Sequence, residues 1–242
     1  MSSALRIGLV AEGVTDYEVL FAVISAMLGD RPFVLSLLQP EGSVAFTGAG
    51  DAGGLGGGWE GVYHWTQLLR ERAGSLSSDV ALFVGHELFV MHLDADVAGE
   101  DPANYVNRTY PELDGVLPCE EPCPPPTATT DRLRLVMVNW LGEAAIPPNA
   151  VLCTPSKSME SWVVPICCPA DKDAAKANWE CRPNPQNRLG QQPKAERFSK
   201  RQSDYSARRD QLRAGWSAIA AKLSEAARFQ SDFIAAAAAV PI

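Results

Sequence analysis

Short apolar runs alternate along this chain with stretches of helical periodicity, the pattern of an α/β protein. Residues 5–11, Leu-Arg-Ile-Gly-Leu-Val-Ala, read as a first strand that ends on Glu12 and Gly13. Beyond it Val19, Leu20, Val23, Ile24, Met27 and Leu28 recur at steps of three and four, so a helix presents one apolar stripe to the sheet. Thr15 and Glu18 have capping-box spacing, which gives Glu18 a structural role. Asp16, in the first turn, favours the helix dipole and is a lesser candidate for a site. Residues 33–38 predict a second strand, and residues 59–73 a helix carrying Val62, Trp65, Leu68 and Leu69, which the apolar segment 80–84 extends. The glycine-rich stretch 48–58 lacks the Gly-Lys-Ser/Thr ending of a phosphate loop. A flexible connection, able to act as a flap near substrate, is expected there.

The central stretch is residues 88–96, Leu-Phe-Val-Met-His-Leu-Asp-Ala-Asp, an apolar run that stops abruptly at two carboxylates. Such a run predicts a strand of a parallel sheet buried on both faces. Ligands of open α/β sheets collect beyond the carboxyl ends of strands, so Asp94 and Asp96 fall where chemistry is expected. With no Lys or Arg adjacent in sequence, they call for a cation, and Mg²⁺ is the simplest. Residues 97–127, rich in proline and acid, form an insertion too long for an ordinary connection. Thr130 is placed to cap a helix carrying Leu133, Val136, Met137, Trp140 and Leu141, closed by Pro147 and Pro148. A fourth strand over 150–154 delivers Lys157 and Glu160 to the same sheet edge at the start of a short helix. From Asp204 onward Leu212, Trp216, Ile219, Leu223, Ala226, Phe229 and Phe233 predict one long amphipathic helix, packed on the domain or presented to a partner.

Composition adds two points. At 242 residues and 46% apolar, the chain can bury a sizeable core, and it has neither an 18-residue apolar span nor a signal-peptide pattern, so a cytoplasmic protein without membrane contact is expected. Net charge is −8, yet residues 182–213 carry a local balance of +6. That asymmetry fits a surface tracking phosphates, with Lys194, Arg197, Lys200, Arg201, Arg208 and Arg209 as the nucleic-acid-binding candidates.

Six cysteines in a cytosolic chain argue against a disulfide framework, and Cys119, Cys123, Cys167 and Cys168 lack ordinary zinc spacing. Buried or loop thiols are expected, with a structural zinc as the lesser alternative. His64, His86 and His92 show no paired ligand spacing and are read as core or surface histidines. Ser158 and Ser161 lack a nucleophile-elbow context.

Glu12-Gly13 after the first strand, with Asp94-Ala95-Asp96 after a later buried strand, resembles the Toprim fold of topoisomerases, bacterial primases and nucleases of the overcoming-lysogenisation-defect type. Ala-Glu-Gly-Val-Thr-Asp, His-Leu-Asp-Ala-Asp and Met-Glu-Ser-Trp together are similar to a stand-alone Toprim-like family often encoded beside ATPases in bacterial defence loci. The resemblance covers roughly residues 5–165 and implies a mostly parallel sheet flanked by helices. It divides the chain into a catalytic domain over 1–168, holding the insertion 97–127, and a basic linker with a C-terminal helical extension over 169–242. It further implies Glu12, Asp94 and Asp96 as acids binding Mg²⁺ or Mn²⁺, Glu160 as an accessory catalytic acid, DNA or RNA (tRNA included) as substrate, and an ATPase partner in anti-phage defence. Lys157 would stabilise transition-state charge or relay a proton. The insertion departs from the compact Toprim pattern.

Two other readings are open. A phosphatase or phosphotransferase of haloacid-dehalogenase type would place Asp-x-Asp after the first strand, where this chain has Glu12. A non-catalytic metal-binding module would dock through the long C-terminal helix.

Overall fold

The computed structural model describes residues 3–40, 56–102, 113, 116–194 and 196–240. Most of the predicted glycine-rich flap and part of the insertion lie outside them. Four strands, β1 (Leu5–Val10), β2 (Phe33–Gln39), β3 (Leu88–His92) and β4 (Ala150–Cys153), form one all-parallel sheet in the order β2-β1-β3-β4. The chain steps outward from β1 to β2, then returns across β1 to β3. That reversal makes the carboxyl ends of β1 and β3 a topological switch point, where a crevice opens.

Strand alternation divides the core. Ile7, Leu9, Leu88, Val90, Val151 and Cys153 join one apolar cluster, while Val10, Phe89, Met91, Leu93, Ala150 and Leu152 join the other. The first face is covered by α1 (Val14–Leu28), whose Val19, Leu20, Val23 and Ile24 are buried. The second is covered by α2 (Gly58–Ala73) and α4 (Thr127–Trp140), through Trp59, Tyr63, Trp65, Leu133 and Trp140. Residues 80–84 do not extend α2. They lie in a separate helix, α3 (Val80–Gly85), capped by the Asp79 carboxylate, which accepts the Leu82 N–H at 3.1 Å.

Three helix termini differ from expectation. Gly13, in extended conformation, precedes α1, so Thr15 already sits inside the first turn and no capping box forms. Glu18 instead accepts Arg209 Nε at 2.5 Å and Gln202 Nε2 at 2.9 Å. Helix α4 starts at Thr127, ahead of Thr130, and it ends at Trp140, well before the proline pair. There Gly142 (φ 71) turns the chain where a Cβ would meet the Gly74 carbonyl oxygen at 2.5 Å.

Beyond β4 come α5 (Glu160–Cys167), the short helices α6 (Asn187–Gln191) and α7 (Gln202–Ser206), then α8 (Arg209–Ala220) and α9 (Ser224–Ala239). The long C-terminal helix of the sequence reading is therefore two helices. Leu223, buried and extended (φ −106, ψ 132), breaks them apart. Their apolar sides are spent inside the molecule: Trp216 meets Trp162 edge-on at 5.2 Å and Phe229 stacks on Trp162 at 5.8 Å. One apolar cluster runs from β1 through α1 and α5 to α9, crossing position 168 without interruption.

Cys123 and Cys181 form a disulfide with Cα atoms 5.5 Å apart, which corrects the expectation that all six cysteines are thiols. Fifty-eight positions separate the two in sequence, so spacing gave no sign of the pairing. Cys153, Cys167 and Cys168 are buried thiols and Cys119 is half-buried. Among the described residues no helix is long and apolar enough to cross a membrane.

Candidate metal centre

The loops leaving β1, β3 and β4 are stitched together at the switch point. Asp94 N–H donates to Glu12 Oε1 at 2.6 Å, joining the ends of β1 and β3. The loop after β4 runs alongside: Ala95 N–H donates to the Pro155 carbonyl at 3.0 Å, and Asp96 N–H to the Lys157 carbonyl at 2.9 Å. Met159 N–H donates to Asp94 Oδ1 at 2.8 Å. Lys157 adopts a left-handed backbone (φ 69), a strained conformation for a non-glycine residue.

Glu12 and Asp94, two of the three metal acids expected from sequence, thus meet. The third member of the close group is His92, not Asp96. Glu12, His92 and Asp94 each offer one ligand atom, all within 4.8 Å of one another. Asp94 is the residue from which a 3-10 turn over Ala95–Gly99 departs, and this turn carries Asp96 to the exposed rim. Asp96 still lies near enough to raise the Glu12 carboxyl. His92 belongs here because strand alternation sends residues 88, 90, 92 and 94 to one face. That spacing was readable in the sequence, where His92 was set aside as a core histidine.

His92 is fully buried. Its Nε2 lies 3.2 Å from Asp94 Oδ1 and its Nδ1 3.8 Å from Asp16 Oδ2, yet neither nitrogen makes an aligned hydrogen bond. Asp16, buried in the first turn of α1, therefore stands directly behind the imidazole. Glu160 adjoins the group without entering it. Its carboxylate is fully buried and accepts Ser158 Oγ at 2.6 Å and Tyr205 Oη at 2.7 Å, with Lys200 Nζ at 3.0 Å. Lys157 does not share the site: its ammonium pairs with Glu120 at 2.5 Å.

The acids perturb one another. Burial pushes the Glu12 carboxyl well above the usual range, and Asp94 and Asp16 add to it. Burial likewise raises Asp94 to about 7, with His92 opposing and Asp16 and Glu160 reinforcing. Asp96 reaches solvent at the rim, yet partial loss of hydration there, reinforced by Glu100 and Glu160, lifts its carboxyl to about 6 against the pull of Lys200. Burial would lower the His92 imidazolium, but Asp16 and Asp94 outweigh it and raise it. Crowded carboxylates in this state demand positive charge. The sequence showed none nearby, but the fold brings Lys200 from more than a hundred residues away.

Of the basic candidates, only Lys200 enters this cluster. Arg209 is drawn into α1, pairing with Glu18 and lying 4.3 Å over Phe21. Arg208 lies 3.9 Å over Phe198. Lys194, Arg197 and Arg201 are exposed. A cleft of about 620 Å³ has Arg197, Phe198, Ser199 and Lys200 on its wall; of its lining residues Lys200 alone belongs to the acid cluster.

The donor set fits a divalent ion: two converging carboxylates, plus a buried imidazole whose ring nitrogens have no hydrogen-bond partner. Comparison with family models, curated proteins and solved structures returns no match to this chain.

Proposed function

We propose that this protein is a divalent-metal-dependent nuclease with a Toprim-type arrangement of acids, hydrolysing phosphodiester bonds of DNA or RNA. The observation that carries the reading is the meeting of Glu12 and Asp94, from adjacent strands, at the switch point of the parallel sheet. Bound there, a divalent ion (Mg²⁺ or Mn²⁺) would neutralise charge at phosphorus and lower the pKa of a water. Glu12 and Asp94 would hold it, with the buried His92 beside them. Lys200, fixed by Glu160, offers an ammonium beside the same acids, where it would meet a phosphate oxygen. Arg197 and Lys200 line the cleft, with Lys194 and Arg201 exposed in the same basic segment, and these would follow the nucleic-acid backbone. Arg208 and Arg209 serve mainly to hold the segment in place. An ATPase acting beside this chain in anti-phage defence belongs to the same reading and is carried by the motif resemblance.

The rival readings lose ground on particular residues. The strand that leads to Asp94 and Asp96 is the third in sequence, unlike a haloacid-dehalogenase site. A docking module would need the apolar sides of α8 and α9, which Trp162 already covers.

Purified protein incubated with plasmid, single-stranded DNA and tRNA in Mg²⁺ or Mn²⁺ is expected to cut at least one of them. Glu12→Gln and Asp94→Asn should each lower the rate about 100-fold or more while far-ultraviolet circular dichroism is unchanged. Cleavage persisting at full rate in both variants would end the assignment.

A further inference from the structure

An all-oxygen site is what Mg²⁺ prefers, and this site is not all oxygen. We infer that His92 is a nitrogen ligand of the ion held by Glu12 and Asp94, and that the site takes a first-row transition ion of the Mn²⁺-to-Zn²⁺ range in preference to Mg²⁺. The inference rests on the metal reading above and specifies it.

Three observations point the same way. The ring is completely buried, and both its nitrogens lack a hydrogen bond, although buried polar atoms are nearly always paired. Its Nε2 is directed at the acids, 3.2 Å from Asp94 Oδ1, and a ligand atom of the ring lies within 4.8 Å of one on Glu12 and one on Asp94. Behind it, Asp16 Oδ2 stands 3.8 Å from Nδ1. A carboxylate on the side of the distal nitrogen is the usual surrounding of a metal-bound imidazole, and Asp16 is placed on that side although no hydrogen bond is formed at this distance.

The competing account makes His92 an imidazolium shared between Asp16 and Asp94. The geometry serves that poorly. At 3.8 Å the Asp16 contact is too long for a hydrogen bond, and the Asp94 contact is short but misaligned. An ion placed among the ring and the two carboxylates would give the orphaned nitrogen a partner. Imidazole suits Fe²⁺, Ni²⁺ and Zn²⁺, and Mn²⁺, an oxygen-preferring ion at the weak end of the same series, accepts it beside carboxylates, whereas Mg²⁺ favours oxygen and retains its waters.

The test reads binding and ligand identity without using cleavage. The full-length protein, stripped with chelator, is titrated with MnCl₂ and with MgCl₂ by calorimetry. Its Mn²⁺ form is then examined by pulsed electron paramagnetic resonance for coupling to ¹⁴N. Mn²⁺ is expected to bind about tenfold or more tighter than Mg²⁺, with a ¹⁴N coupling in the spectrum. Glu12→Gln should abolish the bound Mn²⁺ and its coupling, locating both at this site. His92→Gln, checked for folding by its thermal melt, should lose the coupling and bring the two affinities within about threefold of each other. The wild-type spectrum alone decides the matter if that variant fails to fold. Tight Mn²⁺ binding with no ¹⁴N coupling overturns the inference while leaving the carboxylate site standing. Failure of both ions to bind overturns the inference together with the metal reading beneath it.

Discussion

Asp94 carries opposed demands. As a buried carboxyl raised to about 7, it is stable when protonated; as a ligand, it must be ionised. Because its folded pKa lies above the unfolded value, its favourable contribution to folding is full below about pH 4 and is lost as pH rises through about 7. Asp94→Asn mimics the neutral acid at every pH and retains a carbonyl oxygen for the Met159 N–H. Metal-free Asp94→Asn is therefore expected to melt close to wild type at pH 4 and to be more stable at pH 8, by on the order of 1–3 kcal/mol. Paired denaturant titrations in EDTA at the two pH values would show it; a variant less stable than wild type at pH 8 would contradict it. At this scale Glu12 and Asp94 were legible because an apolar strand ending on an acid marks an edge. Asp16 was legible only as a lesser candidate, Lys200 only as a contact to nucleic acid, and Tyr205 not at all. Their place depends on how α1 and the residue 200 region fold over the sheet, which no local pattern contains.

Among the elements, α8 is held to α1 by Glu18, buried at 2% exposure and ion-paired with Arg209, whose guanidinium covers Phe21. Gln202 of α7 bonds the same carboxylate. Arg209→Ala would leave Glu18 buried with one neutral partner, at an expected cost of about 2–4 kcal/mol, read from the shift in urea midpoint. Adding Glu18→Leu should recover part of that loss, since the stranded charge disappears. The four strands and the helices α1, α2 and α4 followed from period, whereas α3 was read as an extension of α2. The merging of α8 with α9 shows where period fails: Leu212, Trp216, Ile219, Leu223, Ala226 and Phe229 keep steps of three and four through the break, because all of them face one core. Glu18 misled for a related reason. Capping-box spacing from Thr15 is a local signal, and the long-range pair with Arg209 won.

For the molecule as a whole, the Cys123–Cys181 bond ties the segment before α4 to the chain beyond α5. By closing a long loop it restricts the unfolded chain, and reduction with dithiothreitol, or Cys123→Ser, is expected to cost about 2–4 kcal/mol of stability. Unfolding followed with and without reductant would measure it; identical midpoints would show that the bond contributes nothing. A persistent disulfide is at home in an oxidising compartment, which weighs against the cytoplasmic expectation. The parallel sheet and its helical cover were legible in the sequence. The disulfide, whose partners lie 58 positions apart, was not.

The built-in ammonium at residue 200 has a consequence for synthesis. A nascent chain completes its set of acids once Glu160 has emerged, while the Lys200 ammonium that ion-pairs with Glu160 arrives forty residues later. Until then, any part of the crevice that forms has His92, protons or an ion captured from solution to offset its charge.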